Sequence, residues 1–99
     1  MFQHHVSWDP VKARRNHGKH GVTFDLAATV LNDPLALSVP DEDHSATEER
    51  WLTLGQAANG ALLVVVHTYQ EAGVDAAVVR IISARRAGKR ERRQYESKE

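Results

Sequence analysis

The 99-residue sequence predicts an α+β domain: a small antiparallel sheet, wound as a meander, with two N-terminal helices and a C-terminal helix packed on it. Three observations lead there. Between residues 35 and 84 lie several strand-length apolar or alternating runs separated by turn residues. Two helix-start signals, Asp9-Pro10 and Thr23, come before them. A cationic, helix-compatible segment from Ala87 onward comes after them.

Each element has its own reason. Residues 2–8 alternate loosely and fit a short strand. Asp9 is a natural N-cap, and Pro10 sits at the first helical position, where its missing N–H costs nothing. This helix is expected to run to about His17, with Gly18 or Gly21 as the left-handed C-terminal residue. Thr23 caps a second helix in which Phe24, Ala27, Ala28 and Leu31 share one face, and Asp33-Pro34 ends it. Residues 35–39 read as a strand with Leu35, Leu37 and Val39 on one side, and residues 40–49 as a polar loop. Residues 50–57 form the next strand, and Ala58-Asn59-Gly60 a tight turn. Residues 61–69 are the most apolar run and the best central strand. Residues 70–75 turn, residues 76–84 make another strand, and the last helix runs from Ala87 or Gly88 to about Ser97. The order is β-α-α-β-β-β-β-α, in a single domain spanning 1–99, with the helices expected together on one face.

Composition narrows the chemistry. The chain has no cysteine, so disulfides and thiolate metal sites are out, and a reducing, cytoplasmic setting is expected. No apolar run reaches the roughly 18 residues of a membrane span, and the first residues lack the pattern of a signal peptide. Thirteen Lys and Arg balance thirteen Asp and Glu, but unevenly. Eight of the bases lie in residues 80–99, and seven of the acids in residues 25–50. A phosphate-binding face is therefore compatible with zero net charge.

Several side chains stand out. Arg80 projects from a strand otherwise full of aliphatics. It either pairs with Glu49 or another acid across the sheet, or aims its planar fork at a phosphate. Arg85 has the opposite strand parity, so the two arginines can serve one site only if the strand bends near Ala84. Lys89, Arg90, Arg92 and Arg93 make the last helix a solvated face or a backbone-binding stripe. Tyr95 among them either stacks a base or anchors the helix. His67 ends the central strand as a satisfied edge residue or as a proton donor or acceptor. His17 and His20 flank a glycine, a poor frame for a metal, and no metal or other cofactor is expected. No covalent nucleophile motif or phosphate-cradling glycine loop is present. The remaining set of Arg, His, Glu and Tyr suits metal-free RNA cleavage, in which the ribose 2′-OH is the internal nucleophile.

The stretches WDPVKARRNHGKHGVTFDLAATVLNDPLAL, EERWLTLGQAANGALLVVVHTY and RIISARRAGKRERRQYE together resemble the BrnT toxins, distant relatives of the RelE and ParE toxins. The resemblance runs from Trp8 to Glu96. It implies a compact α+β ribonuclease that blocks translation and is neutralised by a BrnA-like antitoxin. Such an antitoxin carries a ribbon–helix–helix part, and the complex represses its own operon by binding operator DNA through the antitoxin. The likeness highlights Lys19, His20, Glu49, Arg50, His67, Arg80, Arg85 and Tyr95, with Trp8 and Phe24 as packing.

On this reading Arg80 and Arg85 stabilise the scissile phosphate, and His67 or Glu49 is the general base. His20 or Lys19 is acid or phosphate ligand, and Tyr95 positions a nucleotide. Arg50, Lys89, Arg92 and Arg93 complete an RNA-binding set. A non-catalytic co-repressor and a gyrase-directed toxin are the alternatives.

Overall fold

The computed structural model describes residues 1–42 and 49–97. Six strands, β1 (Gln3–Trp8), β2 (Leu37–Pro40), β3 (Arg50–Gln56), β4 (Leu62–Thr68), β5 (Gln70–Glu71) and β6 (Ala76–Arg86), form one sheet in the order β1-β6-β4-β3-β2, with β5 beside β6. The meander from β2 to β6 is antiparallel, whereas β1 joins the far side of β6 in parallel. The sheet is therefore mixed, and both β4 and β6 are interior strands. Most of the polar loop expected over residues 40–49 lies outside the described residues, as does Lys98.

The helix signals act as expected at their starts and differ at their ends. Helix α1 (Pro10–His20) is capped by Asp9, whose carboxylate accepts the Val11 N–H at 2.8 Å. It continues through Gly18, because Gly21, at φ +69°, supplies the left-handed stop. Helix α2 (Phe24–Ala28) is capped by Thr23 and tightens into a 3₁₀ turn at Thr29–Asn32. That turn passes so close to β3 that a Cβ on Gly55 would meet Val30 Cγ1 at 2.8 Å. Helix α3 (Lys89–Ser97) starts one or two residues later than the sequence suggests, because Gly88 is its cap: the Glu91 carboxylate accepts the Gly88 N–H at 2.8 Å.

The helices do not gather on one face. Odd-numbered residues of β4, Leu63 and Val65, pack with Val22, Phe24, Ala27 and Val30, beneath α1 and α2. Even-numbered residues, Leu62 and Val64, pack with Leu54, Leu37, Leu52 and Tyr95, beneath α3. Because β4 is apolar on both faces, it needs cover on both, and the two helical layers divide that work. Leu35, expected to open a strand over residues 35–39, lies in the turn before β2 and is 60% exposed.

One irregularity governs the sheet. Pairing of β4 with β6 runs Leu63↔Arg86 to Val66↔Ser83, then jumps to His67↔Ile81. The extra residue, Ile82, makes a β-bulge and reverses strand parity. Ile81 and Ala84 consequently share the first core, although three residues apart. Beyond Ile81, β1 no longer covers β6, and Asn16 of α1 takes its place. Its buried side chain donates to the Ala84 and Val22 carbonyls at 2.9 and 3.0 Å and accepts the Ala84 N–H at 3.0 Å. Replacing Asn16 by Leu leaves three buried backbone groups without partners. It should lower the unfolding free energy by about 3 kcal/mol, read by urea denaturation.

Candidate functional site

The bulge decides where the arginines point. Arg80 lies between the buried residues Val79 and Ile81, so its side chain leaves the sheet on the α3 face. Arg85 pairs directly with Val64, a residue of the core beneath α3. Both arginines thus emerge from the same face, separated by about 13 Å along the strand at its usual rise. They do not occupy the same hollow.

Arg80 lines a cleft of about 490 Å³ with Ser7, Glu49, Thr68, Tyr69, Gln70 and Val78. Strand β1 supplies Ser7 by its parallel register with Arg80, and the end of β4 supplies Thr68. Arg50 opens β3 directly opposite Thr68, so it borders this cleft on the same face. The Thr68 hydroxyl accepts the backbone N–H of Arg80 at 2.9 Å. Glu49 is exposed and Arg80 half-buried. A carboxylate and a guanidinium therefore face one solvent-filled hollow, with hydroxyl groups on its rim.

Arg85 belongs to a second concavity, a groove of about 550 Å³ between α3 and the β2 edge, lined by Leu37, Val39, Leu52, Leu54 and Val64. Its guanidinium donates twice to the Glu91 carboxylate, at 2.8 and 2.7 Å. The Arg85 fork and, to a lesser extent, the Gly88 N–H hold the Glu91 carboxyl down at about 2. Tyr95 is likewise committed to α3: it packs on the second core, and its hydroxyl donates to Asp33 Oδ2 at 2.6 Å. That hydrogen bond keeps the Tyr95 phenol protonated to higher pH than usual. Asp33 also accepts the Gln56 and Leu35 N–H groups, at 2.7 and 2.9 Å, so it ties α3 to the N-terminal half.

The remaining residues singled out by sequence are dispersed. Lys89, Arg92 and Arg93 are exposed on α3, with Arg92 3.7 Å from Glu96. Lys19 and His20 end α1, on the opposite face from Arg80 and Arg85. His67 also faces that side and is 3% exposed. Its Nδ1 donates to the Thr68 carbonyl at 2.9 Å, and its Nε2 lies 2.6 Å from the Thr53 hydroxyl. Burial pushes the imidazole pKa down, with the Thr68 hydrogen bond opposing in part. The expected meeting of Arg80, Arg85, His67 and Glu49 is thus divided. Arg80 and Glu49 share a cleft, Arg85 lies in the groove on the same face, and His67 is buried behind the sheet.

Ser7, Thr68, Tyr69 and Gln70 line the cleft and were not singled out as site residues. The available signal was the abrupt change from an apolar strand to Thr-Tyr-Gln at its end. Ser7 carried none, because its place depends on β1 pairing in parallel with β6. Among the described residues, no group of three or more His, Asp and Glu gathers that could hold a metal ion. Nor is any described helix long and apolar enough to cross a membrane.

The Arg85–Glu91 pair gives a pH signature. Glu91 titrates below its ordinary 4.5 in the folded chain, so the pair stabilises the α3 junction fully above that value and loses its effect as pH falls toward 2. With side chains 47% and 28% exposed, its contribution is at most about 1 kcal/mol. Glu91→Gln should flatten the pH dependence of the melting temperature between pH 4.5 and 2.

Comparison with known proteins follows the same lines. A family model described as ribonuclease toxin, BrnT, of type II toxin-antitoxin system matches residues 8–91. No curated protein matches the chain. The crystal structure of the Brucella abortus ribonuclease toxin, BrnT, is similar with a TM-score of 0.60 and 22% identity, over 90% of this chain and 100% of that one. At such identity the likeness bears on the fold, and the family match spans most of the sequence. The chain belongs to the BrnT family of ribonuclease toxins of type II toxin–antitoxin systems.

Proposed function

We propose that the chain is a metal-independent endoribonuclease whose reaction centre is the Arg80–Glu49 cleft. The observation that carries this is the joint placement of a guanidinium and a carboxylate around one open hollow: Arg80 and Glu49. RNA brings its own nucleophile, so the protein has two tasks, to remove a proton and to stabilise charge. Glu49 accepts the proton of the ribose 2′-OH. The 2′ oxygen attacks the adjacent phosphorus while the bond from phosphorus to the 5′ oxygen breaks. Arg80 stabilises the charge on the phosphoryl oxygens, and a proton from solvent reaches the departing 5′ oxygen. The products are a 2′,3′-cyclic phosphate and a 5′-hydroxyl end, with no cofactor consumed.

The sites of the other candidates suit binding. Arg50 beside the cleft adds to its cationic border, while Arg85, farther along the same face, is held by Glu91 at the base of α3. Lys89, Arg92 and Arg93 add exposed cations that neutralise phosphates at longer range. Lys19 and His20 form a separate basic end of α1 that would meet only RNA reaching around the sheet. His67 leaves the proton-transfer chemistry, because both its ring nitrogens are already engaged inside the protein. Tyr95 acts by holding α3, since its hydroxyl is spent on Asp33.

Family membership brings an antitoxin partner, here proposed as BrnA-like with a ribbon–helix–helix DNA-binding part, the pair repressing its operon through the antitoxin. The groove beside α3 supports such an association. Its floor is aliphatic, Val39 on its lip is 54% exposed, and the arginine-rich α3 beside it favours a partner with acidic residues.

Purified chain should cleave RNA in excess EDTA, leave 2′-deoxy and 2′-O-methyl analogues intact, and yield cyclic-phosphate ends. Folded protein that leaves RNA undamaged across salt and pH overturns this reading. Expression of Arg80→Ala should relieve growth arrest while its melting temperature stays within a few degrees. Arrest of replication with RNA intact would indicate a gyrase-directed toxin, and no arrest at all a co-repressor. Val39→Asp should weaken antitoxin binding at least about tenfold by calorimetry, with RNA cleavage retained.

A further inference from the structure

Behind the cleft, a row of hydrogen bonds crosses the sheet from its outer edge. Ser38 Oγ on β2 lies 2.8 Å from Thr53 Oγ1 on β3, and Thr53 Oγ1 lies 2.6 Å from His67 Nε2 on β4. His67 Nδ1 lies 2.9 Å from the Thr68 carbonyl, and Thr68 Oγ1 is 2.9 Å from the Arg80 amide nitrogen on β6. A carbonyl only accepts, so Nδ1 carries the ring proton, Nε2 accepts from the Thr53 hydroxyl, and Thr53 in turn accepts from Ser38. Every member then has a consistent role. Thr53 and His67 are both 3% exposed, so water does not replace a lost member.

The row ends where the backbone ladder fails. Register pairs of β4 with β6 stop at His67↔Ile81, and those of β5 begin only at Gln70↔Val78. In that gap the Thr68 hydroxyl, rather than a β4 carbonyl, receives the Arg80 amide. The angle at which Arg80 enters the cleft therefore depends on Thr68, and Thr68 is held through its carbonyl by an imidazole on the other face of the sheet.

We propose that His67 is a positioning residue for RNA cleavage: through the row Ser38–Thr53–His67–Thr68 it fixes the backbone of Arg80 and so aims the guanidinium at the phosphate. It touches neither RNA nor the reacting atoms. The inference rests on the ribonuclease reading above. It adds that a buried hydroxyl on β3, outside the cleft, controls the turnover of that site. Lowered burial-driven basicity of the ring is consistent with a neutral link, since a charged ring would have to reverse both hydroxyls.

The test is a double-mutant cycle between Thr53→Val and Arg80→Lys. Valine keeps the size of Thr53 and removes the hydroxyl that holds Nε2. Lysine keeps the charge at Arg80 and removes the planar fork. Thr53→Val alone should lower kcat on RNA by about tenfold or more with KM little changed, as expected for a displaced catalytic group. In the Arg80→Lys background the same substitution should cost less than about twofold, because nothing is left to aim. Equal losses in both backgrounds, or none in the wild-type background, overturn the proposal. Nitrogen-15 spectra of the unsubstituted protein provide a measurement free of folding defects: His67 should be protonated at Nδ1 and bare at Nε2 at neutral pH. The opposite tautomer, or a charged ring, also overturns it. Full cleavage by Arg80→Ala would refute the catalytic reading itself; inactive Arg80→Ala beside fully active Thr53→Val would refute only the positioning role.

Discussion

The single extra residue at Ile82 is the constraint on which the rest of the molecule depends. A regular β6 would send Arg80 and Arg85 to opposite faces and would bring Ala84 out of the core. The bulge reverses parity once, so Ala84 returns to the core under α1 and both arginines leave on the other side. Such an insertion leaves backbone groups without ladder partners. Thr68 receives the amide of Arg80 from β4, and beyond the end of β1 Asn16 of α1 takes the Ala84 backbone groups. Both repairs come from side chains far away in sequence. The irregularity is thereby fixed in place by the whole fold and not by local preference.

Covering a two-faced apolar strand leaves two hollows on one side of the sheet. Helices α1 and α2 close one face over Phe24, Leu63 and Ile81, with Trp8 set edge-on to Phe24 at 6.0 Å. Helix α3 is short and polar, with no buried residue, and covers only part of the other. What it leaves open is the cleft at Arg80 and the apolar groove beside β2. The Asp33 carboxylate, gathering Leu35, Gln56 and Tyr95, prevents this thin layer from lifting away.

The bases of residues 80–93 project from β6 and α3, and a part of them is balanced internally, as Arg85 is by Glu91. A zero net charge therefore coexists with a cationic face. His67 is withdrawn from the surface, whereas His5 stands exposed on β1 in register with Val78 of the cleft. His67 holds one ring nitrogen on a carbonyl and the other on a hydroxyl.

Much of this was legible in the amino-acid order. Asp9-Pro10, Thr23 and the apolar run of β4 announce their elements through local backbone chemistry and periodicity, and the motif set announces the family. The sequence also marks Arg80 as out of place among aliphatics. The location of helix ends was less legible, because Gly18 and Gly21 are equally able to stop α1 and packing selects between them. Only the tertiary structure decided the parallel docking of β1, the placement of α3 on the opposite face, and the bulge at Ile82. It also decided that Glu49 joins Arg80 while His67 and Tyr95 are occupied elsewhere. The physical reason is that strand parity and hydrogen-bond partners at a bulge are set by contacts between residues far apart in the chain, such as Asn16 and Ala84, 68 positions apart, which no local pattern encodes.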